Sequence, residues 1–216
     1  RDQVRALMNS LYRDDPVGTL LIWSTEADSK HMRGISKSDG RATVELLLDG
    51  QQRIASLDGI MRGCAPPFFQ GNASSFTDLY FNVDTEVFEF YGPVKMSADP
   101  TWVSVTRIFL TELDDLVGDI QPAEVDPGRA LTHMKRLNSI QSIGNRVIHV
   151  DEITGRERTI DEVVEIFNRI NSGGTKLSAG ALALARICAD WPHAREALMA
   201  IQSAWSEHGY EFSLDW

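Results

Sequence analysis

Apolar and polar positions alternate along this chain with two periods. Val4, Leu7, Met8 and Leu11 fall at i, i+3, i+4 and i+7, which predicts an opening amphipathic helix that Asp14-Asp15-Pro16 ends. Val17 to Trp23 reads as a short strand with Gly18 at its start, where close backbone approach, even by a ligand base, is expected. Residues 24–41 are polar and Gly-, Ser- and Lys-rich, a loop in which His31 is a solvated residue. Val44 to Leu48 is an aliphatic run that predicts a buried strand, and Asp49-Gly50 turns it. From Gln51 onward Ile54, Leu57, Ile60 and Met61 stand at helical spacing, so the stretch reads strand, tight turn, helix.

Downstream, Asp78 to Val83 and Glu86 to Tyr91 predict a hairpin turning at Asp84-Thr85, with another extended piece at Trp102 to Val105. Thr106 to Val117 reads as one helix, Pro122 to Gly128 as a linker, and Ala130 to Ile143 as a further helix. Arg146 to Val150 is expected as a strand, with Val147 and His149 opposite Ile148. Val163, Ile166, Phe167 and Ile170 define a helix over Asp161 to Ile170 that stops at Asn171-Ser172-Gly173-Gly174. Ser178 caps the next helix, Trp191-Pro192 breaks it, and a last helix covers about His193 to His208. Short strands interleaved with helices predict an α+β fold.

Composition narrows the class. The 216 residues are 43% hydrophobic and 24% charged, as in a soluble globular protein. No apolar run approaches the ~20 residues that span a bilayer. The net charge of −10 argues against extensive contact with a DNA backbone by this chain alone. Cys64 and Cys188 match no metal-ligand spacing, which suits a reduced, cytoplasmic setting. The chain begins at Arg1 and ends at Trp216 within ordered-looking sequence, so it is expected to be part of a longer protein. The acidic group Glu112, Asp114, Asp115 and Asp119 reads as a solvated helix face before it reads as a metal site.

Candidate chemistry gathers at the turn after the buried strand. A helix start leaves backbone N–H groups unpaired, and these together with the helix dipole favour an anion. Arg53 in the first turn is mildly unfavourable for an isolated helix and is better explained beside a phosphate. The plainer alternative is that Asp49 caps the helix and Gln51, Gln52 and Arg53 are solvated.

Asp49-Gly50-Gln51-Gln52-Arg53 after an aliphatic strand resembles the DGQQR motif of the N-terminal domain of GmrSD-type, modification-dependent restriction and phage-defence enzymes. Tyr12, Pro16, Gly18, Leu20 and Leu21 fit a family stretch that precedes it. Phe167-Asn168-Arg169-Ile170-Asn171-Ser172-Gly173-Gly174-Thr175-Lys176-Leu177-Ser178 closely resembles the second family motif, in the expected order. The resemblance runs from Val4 to about Arg186.

It implies a ParB/sulfiredoxin-like α+β fold: a small mixed sheet wrapped by helices. Residues 1–63 and 145–190 would form the nucleotide-binding core, 64–144 an inserted hairpin and helices, and 191–216 the start of a helical region. It implies binding and hydrolysis of a nucleoside triphosphate (GTP or another) with Mg2+. Gly50, Gln51, Gln52, Arg53, Arg169, Asn171, Gly173 and Gly174 would hold the nucleotide. Asp49 would be the catalytic carboxylate, orienting water or the Mg2+. No Walker A sequence is present, so the site is not of the P-loop kind. The HNH-type nuclease usual in the family has no counterpart here, so DNA contact and cleavage are expected from parts outside this chain. A homodimer is compatible with the resemblance, and no membrane partner is expected. The rival readings are a non-enzymatic DNA-binding or sensing module of the ParB-like type, and a ParB-like nuclease.

Overall fold

The computed structural model describes residues 1–27, 42–66, 72–120, 127–155, 157–171, 177–191 and 193–210. The fold is α+β, and the chain divides into two compact units. One comprises Arg1–Gly18 and Gln51–Ile148, the other Thr19–Gly50 and His149–Trp216. The region 64–144 therefore shares its unit with the first 18 residues and with the helix that follows Gly50.

The first unit opens on α1 (Asp2–Tyr12), which buries Val4, Met8 and Leu11 as its spacing predicts. Next come α2 (Gln51–Arg62), α3 (Ser74–Thr77), β3 (Leu79–Asn82), β4 (Val87–Phe90), α4 (Pro93–Met96), β5 (Trp102–Ser104), α5 (Val105–Leu110), α6 (Leu113–Ile120) and α7 (Pro127–Gln141). The strands β1 and β2, which lie between α1 and α2 in sequence, belong to the other unit. The three strands form an antiparallel sheet in the order β4-β3-β5. Its core is Met8, Ile60, Leu79, Phe81, Val83, Val105, Ile108, Leu116, Leu137 and Ile140, each almost fully buried. Removing such side chains from water, at about 25 cal/mol per Å² of apolar surface, is what holds these short elements together.

The expected hairpin is present, and Asn82 explains why it turns at Asp84-Thr85. Its Oδ1 accepts from the Asp84 N–H (3.0 Å), the Thr85 N–H (2.8 Å) and the Thr85 hydroxyl, while Nδ2 donates to Thr101 Oγ1. Tyr12, one of the motif-like positions, packs its ring 5.1 Å from that of Phe81 and donates its hydroxyl to Glu86. Burial and the Glu86 carboxylate push its pKa well above the ordinary tyrosine value.

Two expectations of element boundaries are corrected here. The single helix expected over Thr106 to Val117 is two, because Thr111 takes an extended conformation. The side-chain amide of Gln141 in α7 satisfies the carbonyls at the break, donating to Ile108 O at 2.7 Å and Thr111 O at 2.9 Å. The strand expected from Arg146 begins only at Val150. Arg146 is instead tied to the end of α1: Nη1 donates to Leu11 O and Nη2 to Asp15 O, each at 2.9 Å.

The second unit holds β1 (Leu20–Ala27), β2 (Ala42–Asp49) and β6 (Val150–Ile153), with α8 (Ile160–Ile170), α9 (Ala179–Asp190) and α10 (Ala194–Glu207). The sheet order is β2-β1-β6, with β1 antiparallel to β2 and parallel to β6. β1 runs on to Ala27, into the stretch that polarity alone reads as loop, because β2 pairs with it from Leu21 to Ala27. Leu21, Trp23, Leu48, Ile153, Val163, Phe167 and Leu182 form the core between sheet and helices. A capping box starts α8: Thr159 Oγ1 accepts from the Glu162 N–H, and the Glu162 carboxylate accepts from the Thr159 N–H. His31 lies outside the described residues.

Candidate functional site

The DGQQR stretch is built as its residue types require. β2 carries the aliphatic residues to Asp49, where its register against β1 shifts between Leu21 and Ile22. Gly50 takes φ +94, a left-handed conformation that costs a glycine nothing and strains other residues. α2 then begins at Gln51. Asp49 is exposed at the strand end, Gly50 is buried, Gln51 and Gln52 are exposed, and Arg53 is half-buried. The division between the two units falls inside the motif, between Gly50 and Gln51.

Within the first unit, the early turns of α2 line a cavity of about 330 Å³. Gln52, Arg53 and Ser56 come from α2, Arg1, Gln3, Val4 and Leu7 from α1 and the residue before it, and Ser75 and Phe76 from α3. Gln52 and Ser56 are four residues apart and so share a helix face. Gln51 is not among these residues, so the cavity lies along the flank of α2 and the expected set is only partly gathered in it. Arg1, Gln3, Ser56 and Ser75 were not singled out by the motif. Their only advance signal was that α1 is amphipathic, with Gln3 beside its buried face.

Arg53 is held in place. Its Nη1 donates to the Val17 carbonyl at 2.6 Å. The guanidinium passes so near Gly18 that a Cβ there would lie 2.9 Å from Nη1. The close approach expected at Gly18 is therefore made by an arginine of the motif. Arg1 donates to the Ser74 hydroxyl, and its guanidinium stands 4.9 Å over the Phe90 ring. Among the described residues lining the cavity there are two guanidinium groups and no carboxylate. A donor set of that kind favours an anion over a cation.

The second motif lies in the second unit. Arg169 is exposed in the last turn of α8, where a cation also complements the helix dipole, and Asn171 is the residue at which α8 ends. Gly173 and Gly174 lie outside the described residues. Asn168, to which the resemblance assigns no role, bridges the motif with two hydrogen bonds. Its Nδ2 donates to Leu177 O at 3.2 Å, and the Leu177 N–H donates to its Oδ1 at 3.1 Å. Ser178 caps α9 as expected, accepting from the Ala181 N–H.

Among the described residues no group of three or more His, Cys, Asp or Glu could hold a metal. Mg2+ brought by a nucleotide needs only one or two carboxylates besides phosphate oxygens. Asp49 is exposed and, among the described residues, belongs to no group of three or more such side chains. Asp119 of the acidic group is paired with Arg107. No helix among the described residues is long and apolar enough to cross a membrane.

The described residues form an α+β fold with a cavity lined by two arginines and several neutral polar side chains. The chain belongs to the family of GmrSD restriction endonuclease N-terminal domains, whose family model matches residues 1–188. This sets it in a restriction or phage-defence enzyme. No curated protein matches the chain.

Proposed function

We propose that this domain binds a nucleoside triphosphate and hydrolyses it, as the regulatory part of a modification-dependent restriction enzyme. The observation that carries the reading is the cavity beside α2, where Gln52 and Arg53 of the motif meet a second guanidinium, Arg1. Arg53 would hold phosphate oxygens from a guanidinium already fixed at the Val17 carbonyl, so little side-chain freedom is lost on binding. The Gln52 amide would add a neutral donor. Asp49 would orient the attacking water. A Mg2+ ion bound with the nucleotide would neutralise phosphate charge, with Asp49 as its protein ligand. GTP is the first nucleotide to test.

The test is calorimetry and phosphate release with each nucleoside triphosphate and Mg2+. Arg53→Ala is expected to lose about 1.5–3 kcal/mol of binding, the value of a hydrogen bond to a charged group. A folded Arg53→Ala protein that binds every triphosphate as tightly as the unsubstituted chain would sink the reading. Arg169→Ala and Asn171→Ala, measured alongside, report whether the second motif serves the same ligand.

A further inference from the structure

The cavity beside α2 holds more than a phosphate needs. Its charged groups, Arg1 and Arg53, are donors only. Gln3, Gln52, Ser56 and Ser75 are neutral groups that both donate and accept. Each can donate to a phosphate oxygen, but its acceptor atom is matched only by a ligand that also carries donors. Such groups suit hydroxyls and the mixed donor and acceptor edge of a base. Val4, Leu7 and Phe76 supply an apolar wall. The volume, about 330 Å³, is within the range of roughly 300–1,000 Å³ that organic ligands occupy.

We propose that Gln3, Ser56 and Ser75, none of them in either motif, determine which ligand the cavity accepts by hydrogen-bonding the neutral polar part of a nucleotide whose phosphates the arginines hold. The proposal rests on the nucleotide reading above and goes beyond it in assigning discrimination to α1, the second turn of α2 and α3. Their placement favours this division of work. Ser56 lies one turn beyond Gln52 on the same face of α2, and Gln3 and Ser75 reach the cavity from the two neighbouring helices. Arg53 lines the same cavity and is anchored at the Val17 carbonyl. A ligand whose phosphates lie at Arg53 meets Ser56 one turn further along α2.

The experiment compares GTP, ATP and inorganic tripolyphosphate by calorimetry on the 216-residue chain. The unsubstituted protein is expected to bind one nucleotide more tightly than tripolyphosphate. Gln3→Ala combined with Ser56→Ala should weaken that nucleotide about tenfold, the loss of one or two neutral hydrogen bonds, and leave tripolyphosphate unchanged. Ser75→Ala should act in the same direction, and Ser56→Thr, which keeps the hydroxyl, should restore most of the affinity. Circular dichroism on each variant reports folding. If the unsubstituted chain binds tripolyphosphate as tightly as any nucleotide, the inference fails and the phosphate site stands. It also fails if the double variant binds the nucleotide unchanged, or loses both ligands equally. If the chain binds none of the three, this inference and the nucleotide reading fall together.

Discussion

Arg53 and Gly18 are closely fitted: the guanidinium donates to the Val17 carbonyl beside a position where a Cβ would stand 2.9 Å from Nη1. Gly18 also sits at φ +82, where an L side chain is strained. Gly18→Ala is therefore expected to cost about 1–2 kcal/mol of stability from backbone strain. It should also push Arg53 aside and weaken nucleotide binding. Thermal melting and calorimetry on the same variant separate the two effects. Affinity retained beside a lowered Tm would mean that the docked arginine is not needed for binding.

Asp49→Ala distinguishes chemistry from capping. If Asp49 orients water or Mg2+, turnover should fall far more than affinity, because that contact matters most in the transition state. If it only caps α2, turnover and affinity should hold while stability drops by roughly 0.5–2 kcal/mol. Phosphate release, calorimetry and melting together tell these apart.

Asn168 and Leu177 exchange two hydrogen bonds across the second motif. Asn168→Ala removes both and leaves the Leu177 N–H and carbonyl seeking partners, at an expected cost of about 1–3 kcal/mol. Asn168→Asp keeps the acceptor for the Leu177 N–H and should fall between the two. Urea unfolding of the three proteins checks the order, and equal midpoints would refute it.

Thr25 is almost fully buried, and its Oγ1 has no hydrogen-bond partner among the described residues. Burying an unpaired hydroxyl costs about 1–3 kcal/mol. Thr25→Val keeps the branched shape and removes that group, so its Tm should rise. A lower Tm would indicate that the hydroxyl has a partner in solution, such as a bound water.

Asp84 gives the first unit an acid-sensitive contact. Burial acts against its charge, but hydrogen bonds from Arg129 and from the buried His133 outweigh burial and hold its pKa below the ordinary carboxylate value. A pKa depressed on folding contributes stability at pH above the unfolded value of about 3.9, lost as pH falls through the folded value. Asp84→Asn should therefore melt earlier than the unsubstituted protein near neutrality, and the gap should close as the pH drops below about 4. A constant gap across that range would mean that the charge is not what stabilises the turn.

Local signals in the sequence determined most of the elements. The spacing of Val4, Leu7, Met8 and Leu11, the Asp84-Thr85 turn, the Ser178 cap and the Asp49-Gly50 turn are each decided within a few residues, and the α+β class follows from them. The two motifs were legible for the same reason, since each is a continuous string. What needed the tertiary structure was every feature made by residues distant in sequence. Arg146 gives up a strand for the end of α1 because carbonyls there need donors. Gln141 permits a break between α5 and α6 that periodicity cannot register. Gln3, Ser56 and Ser75 become cavity walls only when α1, α2 and α3 are brought around one cavity. A motif shows which side chains carry the chemistry along one stretch of chain; packing decides which other stretches stand opposite them, because burial rewards apolar contact regardless of separation in sequence.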